Sequence, residues 1–250
     1  MSGHSKWSQI KRQKGAADAK RGQLFTKLGR EVTVAAREGG GEPEANPRLR
    51  LALQRAREAN MPMETIERAI RRGSGGGEAA ALEEIVYEGY GPGGAAIMVE
   101  ALTDNRNRTV AEIRNAFTRG GGSLGENGCV AWLFDSRGVI TVEPDGGDPE
   151  EMALKAIDAG ADDFRVEDGA IDVYTQPGEV EHVRKALEKQ ALKVASAETA
   201  MVPKTTIQLD PKEAVAVLRL MERLEDLDDV QRVYTNLEFS EEVLKEFAGR

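Results

Sequence analysis

Residues 135–196, DSRGVITVEPDGGDPEEMALKAIDAGADDFRVEDGAIDVYTQPGEVEHVRKALEKQALKVAS, decide the fold. Val139-Ile140-Thr141-Val142 is a short apolar strand ahead of a Gly/Asp turn. Asp148-Pro149-Glu150-Glu151 then opens a helix: the aspartate accepts a backbone N–H, proline occupies the first turn and glutamate reaches back. A second strand follows, then a third over Ala170–Thr175. A helical pattern runs over Gly178–Gln190, and a last strand lies near Leu192–Ala195. Strand, helix, strand, strand, helix, strand is a complete split βαβ unit of ferredoxin-like type.

Outward from that unit, neither flank closes a domain by itself. Ile85-Val86-Tyr87 and Ala96-Ile97-Met98-Val99 read as strands around a Gly/Pro turn. Thr109-Val110-Ala111-Glu112 reads as a capping box, leading a helix with Val110, Ile113 and Phe117 inward and Gly120 at its end. Cys129-Val130-Ala131-Trp132-Leu133-Phe134 reads as a buried strand. On the far side, residues 199–239 offer a strand, a helix over 211–224 and a strand over Val230–Phe239. That helix is announced by Asp210-Pro211-Lys212-Glu213, which repeats the Asp-Pro-x-Glu form of residues 148–151. Joined, the flanks make a second α/β sandwich around the first. The expected fold class is therefore α+β: an N-terminal three-helix basic domain, then two ferredoxin-like α/β domains, one inserted in the other. The expected domains are 1–77, a discontinuous 78–134 plus 197–240, and an inserted 135–196.

The N-terminal part differs in both pattern and charge. Leu24, Leu28, Val32 and Ala35 line one helical stripe, stopped by Gly39-Gly40-Gly41. Asn46-Pro47 caps a second helix through Leu49, Leu53, Ala56 and Ala59. After Asn60-Met61-Pro62, a third runs through Ile66, Ala69 and Ile70 to Gly73, and Ser74-Gly75-Gly76-Gly77 is a linker. Residues 1–77 hold 16 Lys and Arg against 8 Asp and Glu, whereas the rest holds 18 against 35. A net charge of −9 thus conceals a basic module on an acidic body. Cations gain by displacing counterions condensed on phosphates, and the acidic remainder repels the same polyanion, so one face docks.

Residues 1–18 are polar and basic, as expected of an arm that is flexible or ordered by a partner. Lys6, Lys11, Arg12, Lys14, Lys20, Arg21, Lys27 and Arg30 are opposed over that stretch only by Asp18, and are the expected phosphate contacts. Trp7, with no core nearby, is placed to stack on an unpaired base. Arg48, Arg55, Arg68, Arg71 and Arg72 extend the basic surface or pair with Glu58, Glu64 or Glu67 at helical spacing. Thr103-Asp104-Asn105-Arg106-Asn107-Arg108-Thr109 offers Arg106, Asn107 and Arg108 as a second contact, and Gly120–Gly125 lies just beyond its helix. An alternative partner surface is the acidic run of Glu222, Glu225, Asp226, Asp228 and Asp229, set against the plainer reading of a solvated helix face.

Other chemistries find little support. Gly89-Tyr90-Gly91-Pro92-Gly93-Gly94 fits the dinucleotide fingerprint in letters, but a strand follows it where a helix is needed, so it reads as a hairpin turn. No phosphate-loop motif occurs. His4 and His182 have no nucleophile to activate, and Cys129 reads as a packed thiol. The Cys and His residues lack metal-ligand spacing, so neither cofactor nor metal is expected. Neither a secretory signal nor an apolar run long enough for a membrane span is present, which points to the cytoplasm, with no membrane or small-molecule partner.

Six segments, GHSKWSQIKRQK (3–14), NPRLRLAL (46–53), NMP (60–62), YEGYGPGG (87–94), TDNRNRT (103–109) and GGSLGENGCVAWLF (121–134), resemble the YebC-type proteins in order and over nearly the full chain. That family is catalogued as probable transcriptional regulators and includes a mitochondrial translational activator of cytochrome oxidase. The resemblance implies a helical domain followed by two α/β domains, one inserted in the other, and no catalysis. It implies a nucleic-acid-binding regulator: a DNA-binding transcriptional regulator, or alternatively a ribosome-associated translation factor contacting ribosomal RNA.

Overall fold

A computed structural model describes residues 18–75, 82–143, 148–167 and 170–248. Helix α1 (Asp18–Gly39) packs against α2 (Pro47–Glu58) and α3 (Met63–Ser74). Leu28, Val32, Ala35, Leu49, Leu53, Ala56 and Ile66 close a core of their own, while Leu24, at the end of the expected stripe, is exposed. Asn46 makes the expected cap, its Oδ1 accepting from the Leu49 N–H at 3.0 Å. Its amide also donates to the carbonyls of Ala35 and Gly40 at 2.8 Å, so one side chain ties the α1–α2 turn. Helix α3 approaches α1 at Gly73, where a Cβ would lie 2.3 Å from the Thr33 carbonyl oxygen and 2.8 Å from the Ala36 Cβ. Gly73→Ala is expected to force the two helices apart at a cost of about 1–3 kcal/mol, read as a lower urea midpoint.

Beyond the helices lie two antiparallel four-stranded sheets. The first combines β1 (Glu83–Tyr90), β2 (Ala96–Thr103), the two-residue β3 (Ser123–Leu124) and β8 (Val230–Thr235), in the order β3-β1-β2-β8. The second lies between β3 and β8 in the chain: β4 (Phe134–Val142), β5 (Asp163–Glu167), β6 (Ala170–Thr175) and β7 (Val194–Pro203), in the order β5-β6-β4-β7. With α5 (Pro149–Asp158) and α6 (Val180–Lys189) this is the split βαβ arrangement read from residues 135–196. The first sheet reaches the same two-layer design through a central hairpin, with α4 (Arg106–Arg119) and α7 (Pro211–Glu225) supplying its helical layer.

The alternation along β2 shows how the sheets stack. Ile97 and Val99 face α4 and α7, with Phe117, Leu218 and Leu224; Ala96 and Met98 face the other way and join Phe134, Val139, Ala200 and Tyr234. Each face of β2 is therefore buried over Ala96–Val99, which is why those four residues are an unbroken apolar run. The Asp-Pro-x-Glu echo is realised twice: Asp148 accepts from the Glu150 N–H at 3.0 Å, and Asp210 from the N–H groups of Lys212 and Glu213 at 2.9 and 3.1 Å. The Gly89–Gly94 segment is a hairpin turn, with Gly93 and Gly94 at φ +65° and +78° and Tyr90 paired to Ala96.

Several elements differ from the sequence reading. Cys129–Leu133 is a turn with a short 3₁₀ helix over Ala131–Leu133, and the strand begins only at Phe134. The Val130 and Ala131 N–H groups go to the carboxylate of Glu88 at 2.8 and 2.7 Å, instead of to a ladder. Helix α4 starts three residues before Thr109, because Asn105 Oδ1 accepts from the Arg108 N–H at 3.1 Å and is the true cap. Residues 199–203 extend β7 along β4 instead of joining the first sheet. A helix missed in the sequence, α8 (Glu241–Ala248), places Val243 and Phe247 in the first core. Its signal was present: Ser240 Oγ accepts from the Val243 N–H at 3.3 Å, and Val243 and Phe247 are one turn apart.

Candidate nucleic-acid interface

Lys6, Trp7, Lys11, Arg12 and Lys14 lie outside the described residues. Lys20 falls in the first turn of α1. Arg21, exposed, holds its guanidinium 5.6 Å from the centre of the Phe25 ring. The remaining expected contacts behave differently. Lys27 donates to the carbonyl of Glu225. Arg30 donates to the Asp228 carbonyl and to Asp229 Oδ1, both at 2.8 Å. The basic run therefore divides within α1: its last two cations are engaged by the acidic end of α7 and the turn behind it.

Asp229 is the hub of that engagement. Only 2% of its side chain is exposed, and Oδ2 accepts from Arg108 Nη2 at 2.8 Å, Thr109 Oγ1 at 2.7 Å and Thr103 Oγ1 at 3.1 Å. Burial disfavours its charge, yet the bonds from Arg108 and Thr109 and the charge of Arg30 hold its carboxyl below the usual range. Arg108, expected as a second polyanion contact, is thus tied to the strand–helix junction, and it also holds Asp104 at 2.8 Å. Arg106 points outward, 68% exposed and 3.8 Å from Glu83, beside the exposed Asn107. All three residues of the expected second contact are exposed, Arg108 at 42% despite its two carboxylate partners.

The arginines of α2 and α3 also separate. Arg68 and Arg71 pair with Glu64 and Glu67 one turn earlier at 3.0 and 3.7 Å, on an exposed face. Such pairs contribute little stability and exchange readily for phosphate. Arg48 bridges Glu38 and Glu84. Arg55 leaves the basic surface altogether: it holds Glu31 at 2.8 Å and lies 3.7 Å from Glu198. Burial opposes its charge, but Glu31 and Glu198 raise its pKa. Arg232 completes the group, 2.9 Å from Glu31, 3.4 Å from Glu100 and 3.8 Å from Glu198.

A feature the sequence reading missed is the seating of the glycine-rich loop after α4. Glu88, buried in β1, accepts N–H bonds from Gly128, Val130 and Ala131 at 2.7, 2.8 and 2.7 Å. Burial alone would raise its pKa, but these backbone donors lower it. Tyr90 Oη and Trp132 Nε1 both donate to the Cys129 carbonyl, at 2.9 and 3.1 Å. Trp132 is nonetheless 66% exposed. Its polar atom is satisfied within the protein, so what it offers outward is a flat, fixed aromatic surface. Burial and the nearby Glu88 charge raise the pKa of the Cys129 thiol, the opposite of an activated nucleophile.

Among the described residues no group of three or more His, Cys, Asp and Glu could hold a metal ion, and no helix is long and apolar enough to cross a membrane. Family models for the TACO1/YebC N-terminal domain and for the TACO1/YebC second and third domains match residues 5–76 and 82–237. The chain belongs to the TACO1/YebC family. A relative from Pelotomaculum thermopropionicum, named a probable transcriptional regulatory protein, is 56% identical over 96% of this chain and 100% of its own. Relatives with that name from Herpetosiphon aurantiacus and Moorella thermoacetica are 55% and 58% identical, covering 99% and 94% of this chain and 99% and 95% of their own. A solved structure of a conserved hypothetical protein from Aquifex aeolicus, 48% identical, matches with a TM-score of 0.81 over 90% of this chain and 93% of that one. The helical region and two sheets thus belong to the TACO1/YebC family as a whole chain.

Proposed function

We propose that this chain is a non-enzymatic nucleic-acid-binding regulator of gene expression, acting as a DNA-binding transcriptional regulator through its N-terminal basic segment. The observation that carries this is the partition of cations along residues 6–30. Lys27 and Arg30 are taken by the acidic body, while Lys6, Lys11, Arg12 and Lys14 precede α1 in a stretch that contains no acid before Asp18. With 35 Asp and Glu beyond residue 77, a polyanion is repelled from the body and meets the N-terminal face first. Relatives named probable transcriptional regulatory proteins support duplex DNA as the target, since transcription is regulated on DNA. The domain division proposed with this function is 1–77, 78–134 plus 197–240, and 135–196, with residues 197–203 completing β7 of the inserted sheet before the chain returns to the first.

A second reading, a ribosome-associated factor contacting ribosomal RNA, is favoured by one observation: the exposed ring of Trp132 on its clamped loop, a surface suited to an unpaired base. Sedimentation of tagged protein from a gentle lysate, with and without ribonuclease, separates the two. Retention at the top of the gradient together with duplex-DNA binding at the same salt is the expected result. Ribonuclease-sensitive co-migration with ribosomes would replace it with the translational reading.

A further inference from the structure

The body-facing side of α1 is ionic where its opposite side is apolar. Leu28, Val32 and Ala35 enter the helical core, whereas Lys27, Arg30, Glu31, Val34 and Arg37 recur at helical spacing on another stripe. Each charged member of that stripe reaches the body: Lys27 to the Glu225 carbonyl, Arg30 to Asp228 and Asp229, Glu31 to Arg232, and Arg37 to the Leu82 carbonyl at 2.6 Å. Helix α2 adds Arg48 to Glu84 and Arg55 near Glu198. Val34 and Leu51 are among the apolar members of the seam, Leu51 lying against the second sheet's core, with Ile85, Val86, Leu102 and Met201 further along it. A cavity of about 430 Å³ runs along the same seam, lined by Glu31, Arg48, Arg55, Glu84, Glu198 and Arg232. At its wall the buried Nε of Arg232 and Nε2 of Gln231 find no hydrogen-bond partner among the described residues. A charge-bridged, incompletely filled junction of mixed lining between a self-contained helical unit and the body is the kind that opens.

We propose that this seam is an electrostatic latch that competes with nucleic acid. The acidic body occupies Lys27 and Arg30, cations at the end of the basic run that would otherwise meet phosphate. Docking of the helical unit and full engagement of a polyanion then exclude each other. The inference rests on the nucleic-acid reading for its competitor, but the latch itself does not. Both are electrostatic and salt weakens each, but neutralising an acid on the body weakens only the latch.

The test is energy transfer between dyes on the full chain, placed by Glu58→Cys on α2 and Glu112→Cys on α4 in a Cys129→Ser background. Raising salt from about 0.1 M to about 1 M shortens the screening length from about 10 Å to about 3 Å, and transfer should fall as the unit swings away. Glu84→Gln with Glu198→Gln should move that fall to lower salt. A distance that salt leaves unchanged in the parent chain overturns the latch, whether or not the variant folds. A short DNA duplex should lower transfer at constant salt, and the double variant should bind it roughly three- to tenfold more tightly, the factor expected from losing two partly exposed ion pairs. Equal affinity in a variant that opens more easily overturns the competition. Absence of any duplex binding, with the salt response intact, leaves the latch standing and removes the nucleic-acid reading instead.

Discussion

Asp229→Ala is expected to lower folding stability by about 2–4 kcal/mol, because it removes the buried carboxylate shared by two partly exposed arginines and two buried threonine hydroxyls, and of the arginines Arg108 keeps Asp104. The same atoms hold Thr103 and Thr109, so the end of β2, the start of α4 and the docking of α1 all lose one shared acceptor. The effect should depend on pH in a definite direction. The carboxyl is held below its ordinary value in the folded chain, so its contribution is present above the unfolded pKa and is lost as pH falls through the folded one. Urea midpoints measured on both chains should therefore converge on acidification. A difference that stays constant from neutral pH to strongly acid conditions would show that Asp229 acts by filling space and not by charge.

Replacing Lys11, Arg12 and Lys14 together by alanine is expected to weaken duplex binding uniformly across sequences and to flatten its salt dependence. With about six phosphate contacts in the parent chain, the slope of log affinity against log salt is near −5, and removing three brings it to about −3. Titrations at several salt concentrations read both numbers. Unchanged affinity and slope would remove the arm from the interface and leave Arg21, Arg106 and the exposed face of α3 as the contacts. The effect should be separable from Asp229→Ala, since the triple substitution leaves the described ion pairs untouched and should not shift the urea midpoint.

The two variants probe opposite halves of the charge separation. A cation in residues 6–14 has no acid near it in the sequence, and its role as a phosphate contact follows from that isolation. A cation in residues 27–55 is a different matter, because its partner is chosen by the fold. Lys27, Arg30 and Arg55 look alike in sequence with Arg21 and Arg68. Only the first three face the body, where Glu225, Asp229 and Glu198 meet them. For the same reason the acidic run at 222–229, read as a surface for another protein or as solvated charge, turns out to receive the protein's own helix.

The sequence alone determined the elements whose causes are local. Asn46, Asp148 and Asp210 cap helices because each acceptor lies two or three residues from its donor. The hairpin at Gly89–Gly94, the strand–helix order of residues 135–196 and the excess of cations before residue 78 are likewise written in neighbouring letters. The tertiary structure decided what depends on groups far apart in the chain. Glu88 draws residues 128–131 out of a strand from forty positions away. Asp229, itself buried, ties the exposed Arg108 to the end of β2 and the start of α4. Arg55 passes from the basic face to a junction of Glu31 and Glu198. Backbone caps act over one turn and leave a periodic trace; a buried charge acts over a few ångströms of space, and only the fold says which charges are that close.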